Sequence, residues 1–137
     1  MNEEKEIRMY SLVLRQLTPI QKGVQTTHAV VEYTNKYFNT PEYKQWSEHD
    51  KTLIMLDGGT APKLNDIIEI LKDYDIKFAT FQEPDLNDLT TAICFLANEE
   101  VWKEIYDEYY NEPHDYLMEA NQIYILRKIL KTCHLSH

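Results

Sequence analysis

Two carboxylates and two threonine hydroxyls lie on one short connection between two apolar segments. Glu83 and Asp85 leave the first segment, and Thr90 and Thr91 open the second. Carboxylates can orient a water molecule or accept a proton, and hydroxyls can donate hydrogen bonds. Polar chemistry concentrated at a strand end indicates a functional site. The alternative is that Asp85, with Asn87, only shapes the turn, because both are ordinary turn residues.

A second group of candidate residues follows the first apolar segment. Lys22 can stabilise negative charge, and His28 can act as an acid or base near neutral pH. Gln21 and Gln25 lie one helical turn apart and can bind a polar ligand. The alternative for His28 is a helix histidine that packs near the sheet.

A glycine pair provides a third candidate. Gly58 and Gly59 follow Asp57 at the end of an apolar segment. Glycines let backbone amides approach a ligand closely, although two glycines alone are a weak signal for phosphate binding. The alternative is a plain turn from a strand to a helix.

Hydrophobic periodicity predicts the elements that position these residues. Thr18 is expected to cap the first helix, and Pro19 suits its first turn. The predicted strands span residues 9–16, 51–57, 76–81 and 90–97. The predicted helices span residues 19–37, 64–75, 99–110 and 115–131, with a short helical segment before residue 46.

The order of these elements predicts a mixed sheet. The first three strands alternate with helices, so they should be parallel and joined by right-handed crossovers. The connection over residues 83–89 is too short for another crossover, so the fourth strand should turn back antiparallel. Ligands of such α/β folds bind at the carboxyl ends of parallel strands, where all three groups of candidates converge.

Length, charge and cysteine content restrict the class of protein. The chain has 137 residues and 43% hydrophobic content, which suits one domain over residues 1–137. Its 23 acidic and 14 basic side chains give a formal charge of −9, which repels polyanions as a whole. Cys94, Cys133 and the five histidines lack metal-binding spacing, so neither a metal nor another cofactor is predicted. No segment approaches the roughly 20 apolar residues of a membrane span, and a cytoplasmic protein without membrane contact is expected.

Three segments together resemble the type II peptidyl-tRNA hydrolase family, particularly its compact phage-encoded relatives. They are Tyr10-Ser11-Leu12-Val13-Leu14-Arg15, Gly23-Val24-Gln25-Thr26-Thr27-His28-Ala29-Val30-Val31, and Glu83-Pro84-Asp85 with Thr91-Ala92-Ile93. The resemblance covers residues 8–97 and implies a three-layer α/β/α sandwich with a four-stranded mixed sheet, commonly dimeric. Residues 98–137 would then be a helical carboxyl-terminal extension.

Active members of that family hydrolyse the ester that links a peptide to tRNA. They carry a lysine near the start of the first helix, the segment Gln-x-x-His-Ala, and a carboxylate with threonines after the third strand. The position of that lysine falls on Gln21, and Lys22 follows about 100° further around the helix. The carboxylate can be Glu83 or Asp85, and the residues leave that choice and the choice of threonine open.

Three functions are therefore considered. The first is a non-catalytic or weakly catalytic protein that binds a nucleotide-like small molecule, such as a phage protein that sequesters a host signalling nucleotide. The second is a peptidyl-tRNA hydrolase, and the third is an interaction module that acts through the carboxyl-terminal helix, with a homo-oligomer expected. The predicted catalytic residues are Lys22, His28, Asp85 and Thr91. The predicted ligand-binding residues are Gln21, Gln25, Gly58, Gly59, Glu83 and Thr90.

Overall fold

A computed structural model describes residues 5–103 and 119–135 of the chain. The strands are β1 (Ile7–Leu14), β2 (Leu53–Gly59), β3 (Ala79–Glu83), β4 (Leu89–Asn98) and β5 (His134–Leu135). The helices are α1 (Pro19–Tyr37), α2 (Pro41–Gln45), α3 (Ala61–Asp73), α4 (Glu99–Trp102) and α5 (Ala120–Lys131). A π-helical turn over Trp46–Asp50 extends α2.

The strands form one mixed sheet in the order β3-β4-β1-β2-β5. Strands β1 and β2 are parallel, and β4 is antiparallel to both β1 and β3. The four predicted strands and the antiparallel return of the fourth are therefore confirmed. The prediction missed β5, which pairs antiparallel with β2, because a two-residue strand is too short to show a hydrophobic period.

The third strand begins and ends later than predicted. It spans Ala79–Glu83 instead of residues 76–81, so Glu83 belongs to the strand itself. The displacement arises from the end of α3, where Asp75 takes a left-handed φ of 55°. The amides of Ile76 and Asp75 donate to the carbonyls of Leu71 and Lys72, in the pattern of a Schellman motif. Residue 76 thus closes the helix.

Helix α1 begins and ends where the sequence predicts. The Thr18 side chain accepts from the Gln21 amide, and the Gln21 side chain accepts from the Thr18 amide, which makes a capping box. A buried hydrogen bond of 2.8 Å between the hydroxyls of Ser11 and Thr26 attaches the helix to β1. The buried face of α1 consists of Lys22, Gln25, Thr26, Ala29 and Tyr33.

Helices cover both faces of the sheet. On one face, α1 packs through Ala29 and Tyr33 on strand residues such as Met9 and Val13. On the other face, Leu12 and Phe95 pack with buried residues of α3 and α5. The side chains alternate between the two faces along β1, as expected for a strand buried on both sides.

The carboxyl-terminal helix belongs to the hydrophobic core. Ile123, Leu126 and Ile129 of α5 are buried, and Ile125 and Leu130 pack against the same cluster. The sequence predicts an apolar stripe on this helix from six residues: Leu117, Met118, Ile125, Leu126, Ile129 and Leu130. The last four pack in the core of their own chain, whereas Leu117, Met118 and the predicted helical residues 104–110 and 115–118 lie outside the described ranges. None of the described helices is long and apolar enough to cross a membrane.

Candidate functional site

Two β-bulges lie where the parallel strands β1, β2 and β3 reach their carboxyl ends, which we call the carboxyl edge of the sheet. In β4, Phe81 pairs with Ala92 and Gln82 with Thr90, so Thr91 is an extra residue. A second bulge occurs in β2, where Gly58 has no partner on β1. Bulges redirect side chains and are frequent beside functional sites. The bulge in β4 turns Thr91 towards α1.

Gln25 of α1 joins this strand edge to the helix. Its amide oxygen accepts a hydrogen bond from the Thr91 hydroxyl at 2.6 Å, and its amide nitrogen donates to the Glu83 carboxylate at 3.2 Å. The Thr91 hydroxyl also lies 3.3 Å from the carbonyl oxygen of Phe81. Both ends of the Gln25 amide are therefore fixed. Of the alternatives that the sequence left open, the structure places Thr91 and Glu83 against the helix.

Lys22 lies on the sheet-facing side of the same helix, although it is a charged residue. It is 7% exposed, and its ammonium group has no hydrogen-bond or ion-pair partner in the part of the chain that the structure describes. A buried charge without a partner is unfavourable and is therefore a feature of functional sites more than of scaffolds. Gln21 is exposed and holds the helix cap instead. The structure thus buries Lys22 together with Gln25, while Gln21 points away from that face.

An ion pair lies beside this lysine at the end of β2. Arg15 donates to the Asp57 carboxylate at 2.9 Å, and the Gly59 amide donates to the same carboxylate at 2.8 Å. Burial acts to raise the pKa of Asp57, but these hydrogen bonds and the charges of Arg15 and Lys22 outweigh it, so the pKa lies below its ordinary value. The sequence analysis did not select Arg15 and Asp57. Arg15 directly follows β1, and Asp57 lies near the end of the adjacent parallel strand β2, which is the signal that would have indicated them.

The two predicted glycines shape the edge of the sheet. A Cβ atom on Gly58 would lie 2.7 Å from Leu64 Cδ2, so α3 can pack against β2 only when this residue lacks a side chain. Gly59 has a φ of +94°, a left-handed conformation that favours glycine. Its amide is already bonded to Asp57.

The remaining predicted residues, His28, Thr90 and Asp85, form no hydrogen bond with Gln25. The exposed ring of His28 stacks on Phe81 at 4.3 Å with an interplanar angle of 11°. Thr90 accepts a hydrogen bond from Gln82 at 3.3 Å. Asp85 is exposed on a short 3-10 turn, Pro84–Leu86. The structure therefore brings Gln25, Glu83 and Thr91 together, with Lys22 on the same helix face, and leaves His28, Asp85 and Thr90 at the periphery.

The site is a group of polar residues at the carboxyl ends of the parallel strands, and Lys22 within it has no ion-pair partner among the described residues. In residues 5–103 and 119–135, no group of three or more His, Cys, Asp and Glu side chains could hold a metal ion. The arrangement can therefore pair an anionic group with Lys22 and offer fixed polar groups beside it. A scan against protein-family models finds no match for the chain, and a search of curated proteins finds no significant relative.

Proposed function

We propose that the protein binds a small nucleotide-like molecule at the carboxyl edge of the sheet, without efficient turnover. The observation that carries this proposal is that Lys22 is 7% exposed and that its ammonium group has no hydrogen bond or ion pair among the described residues. The charge of Asp57 acts on Lys22 only from beyond ion-pair distance, so one phosphate would supply the direct partner, and it would gain from the low polarity around a residue that is 7% exposed.

The neighbouring residues suit the rest of such a ligand. Thr91 and Glu83 hold Gln25 in one orientation, so little side-chain entropy is lost when a ligand contacts these groups. A carboxylate has several acceptor positions, and Glu83 uses one of them for Gln25. The others can accept from a ribose hydroxyl or a base amine. A small ligand needs few positive groups, so the formal charge of −9 is no obstacle.

The resemblance to compact phage-encoded type II peptidyl-tRNA hydrolases suggests a biological role for such binding. A protein of that kind would hold a host signalling nucleotide and thereby lower its free concentration. Sequestration requires tight binding and slow turnover, both of which can be measured on the purified chain.

Calorimetric titration with mononucleotides and small dinucleotides tests the binding site. Lys22→Met keeps the methylene volume and removes the charge, so it should weaken binding by at least about tenfold if a charge-assisted bond is lost. Lys44→Met, an exposed lysine on α2, is the matched control and should leave the affinity unchanged. Equal affinity in Lys22→Met and the native chain would show that the nucleotide binds elsewhere.

Peptidyl-tRNA hydrolysis is the second candidate function, because Lys22, Gln25, Glu83 and Thr91 share the region where the helix meets the strand edge. Glu83 would orient a water molecule, and Lys22 would stabilise the oxyanion formed when that water attacks the ester carbonyl. The ester C–O bond would then break, releasing a peptide carboxylate and the hydroxyl of the tRNA end.

Turnover of peptidyl-tRNA distinguishes the two functions. Sequestration predicts that the ester stays intact at concentrations where an active hydrolase cleaves it. Multiple turnover that falls about 100- to 1,000-fold in Lys22→Met and Glu83→Gln would instead establish the hydrolase. The interaction module remains a prediction: Ile123, Leu126 and Ile129 of α5 pack in the chain's own core, whereas Tyr124 of the same helix is 56% exposed.

A further inference from the structure

A cleft lies at the opposite edge of the sheet from Lys22, where β1 begins and β4 ends. Since β1 runs from Ile7 to Leu14, the two edges are roughly 23 Å apart along the strand. The cleft has a volume of about 60 Å³, which is room for a handful of water molecules or one small ring. Its wall includes Ile7, Tyr33, Glu42, Asp75, Ile76 and Leu96.

Tyr33 brings a polar group without a partner to this cleft. Tyr33 is 1% exposed, and its hydroxyl makes no hydrogen bond to a described residue. Burial raises the pKa of Tyr33 far above its usual value, and the charge of Glu42 adds to the effect, so the hydroxyl keeps its proton and remains a donor. Buried donors are nearly always satisfied by protein, water or ligand. The cleft is therefore the place where this donor can find an acceptor.

The charges around the cleft select against anions. Glu42 and Asp75 contribute two carboxylates, and Lys77 contributes one ammonium group 3.8 Å from the Glu42 carboxylate. The apolar part of the wall comes from Ile7, Ile76 and Leu96, of which Ile7 is 2% exposed. These groups complement a ring compound that carries a hydrogen-bond acceptor next to a donor. The ring would contact the apolar wall, its acceptor would face the Tyr33 hydroxyl, and its donor would face the Glu42 carboxylate.

We propose that this cleft is a second ligand site, which takes a small uncharged ring compound with an amide-like edge. The carbonyl of the ligand accepts from the Tyr33 hydroxyl, and its N–H group donates to the Glu42 carboxylate. The ring lies against the apolar wall. This site is separate from the nucleotide site and does not depend on Lys22.

Benzamide is a suitable probe, with benzoate as its anionic counterpart of the same shape. Titration of the full chain, followed by amide chemical shifts, should show binding of benzamide in about the millimolar range, as expected for so small a ligand. The shifts should centre on the residues of the cleft. Benzoate should not bind there, because it presents a negative charge to Glu42 and Asp75.

The Tyr33→Phe variant tests the role of the hydroxyl. It should weaken benzamide binding about tenfold, because one hydrogen bond in a buried site is lost. Tyr37→Phe is the matched control, since the Tyr37 ring lies on the same helix with its centroid 4.7 Å from that of Tyr33. This variant should bind benzamide with the same affinity as the native chain.

A stability measurement separates loss of binding from loss of fold. Without ligand, Tyr33→Phe should unfold at the same temperature as the native chain or higher, since the Tyr33 hydroxyl has no hydrogen bond to lose among residues 5–103 and 119–135. Absence of benzamide binding, equal binding by Tyr33→Phe, or equal binding of benzoate would each overturn the proposal. Tyr33→Phe should bind nucleotide with the same affinity as the native chain. This comparison tests the cleft separately from the nucleotide site.

Discussion

Gln25 shows how a single side chain can specify the geometry of a site. Its amide has a donor end and an acceptor end, and the structure gives each end a partner of the matching kind, Glu83 and Thr91. The Thr91 bond is buried, where an unpaired oxygen would be costly. The orientation of Gln25 therefore depends on Thr91.

We expect Thr91→Val to lower the free energy of unfolding by about 1–3 kcal/mol, because it leaves the buried amide oxygen of Gln25 unpaired. Thr90→Val is the matched control and should cost less than about 1 kcal/mol, since Thr90 bonds to Gln82, whose exposed side chain can turn to water. Urea unfolding of both variants measures the difference. Equal losses would contradict the role assigned to Gln25.

The ion pair of Arg15 and Asp57 should make stability depend on pH. The pKa of Asp57 in the folded chain lies below its ordinary value of 3.8, so its carboxylate contributes stability above that pH. This contribution is lost as the pH falls below 3.8 through the folded value. Asp57→Asn should therefore be less stable than the native chain at neutral pH, and the two should converge as the pH falls below 3.8 through the folded pKa of Asp57. Urea unfolding at each pH measures the free energy of unfolding of both proteins. A difference between them that stays constant as the pH falls would show that the Asp57 carboxylate does not stabilise the fold.

The sequence predicted which residues belong to the site, but it did not predict which of them contact one another. Glu83 and Thr91 were candidates because polar residues concentrate at the end of a strand, and Lys22 and Gln25 were candidates because their segment resembles that of a known family. Their partners were not predictable, because the extra residue in β4 leaves no trace in a hydrophobic pattern.

At the scale of elements, glycine determines how closely β2 and α3 pack. A Cβ atom on Gly58 would lie 2.7 Å from Leu64 Cδ2 and 3.1 Å from Leu12 Cβ, and both leucines are fully buried. The packing of the helix on the bulged strand thus requires glycine at this position.

We expect Gly58→Ala to destabilise the fold by about 1–3 kcal/mol, because it overpacks the core. Gly23→Ala is the opposite case, since a Cβ atom there would meet no atom within 4 Å and alanine favours the helix. That variant should gain about 0.5–1 kcal/mol. Thermal unfolding compares the two. A neutral Gly58→Ala would indicate that α3 moves freely on the sheet.

The sequence predicts the type of element better than its boundaries. Strong periodicity and the Thr18-Pro19 signal predict α1 correctly. The start of β3 is wrong by three residues, because Ile76 is apolar like a strand residue but closes α3 through a backbone hydrogen bond to Leu71. Local hydrophobicity does not distinguish a buried cap from a buried strand.

At the scale of the whole molecule, polar side chains gather where the parallel strands end, and a cleft lined by both apolar and charged residues lies where they begin. Helices cover the faces between them, so ligands are expected at the edges. The predicted homo-oligomer remains a prediction. Equilibrium sedimentation of the full chain tests it, and a mass equal to one chain at every concentration would contradict it.

The net charge restricts which class of nucleotide the proposed site could bind. With a formal charge of −9, affinity must come from the local contacts of Lys22 and its neighbours. We expect the affinity for a mononucleotide to fall only a few-fold between about 50 and 200 mM salt, whereas proteins that contact many phosphates lose about 10³–10⁵ over that range. Titrations at both salt concentrations, with a mononucleotide and with whole tRNA, measure this. A steep loss, or tighter binding of tRNA than of the mononucleotide, would contradict sequestration and favour the hydrolase, because the surface around Lys22 would then be contacting a polyanion.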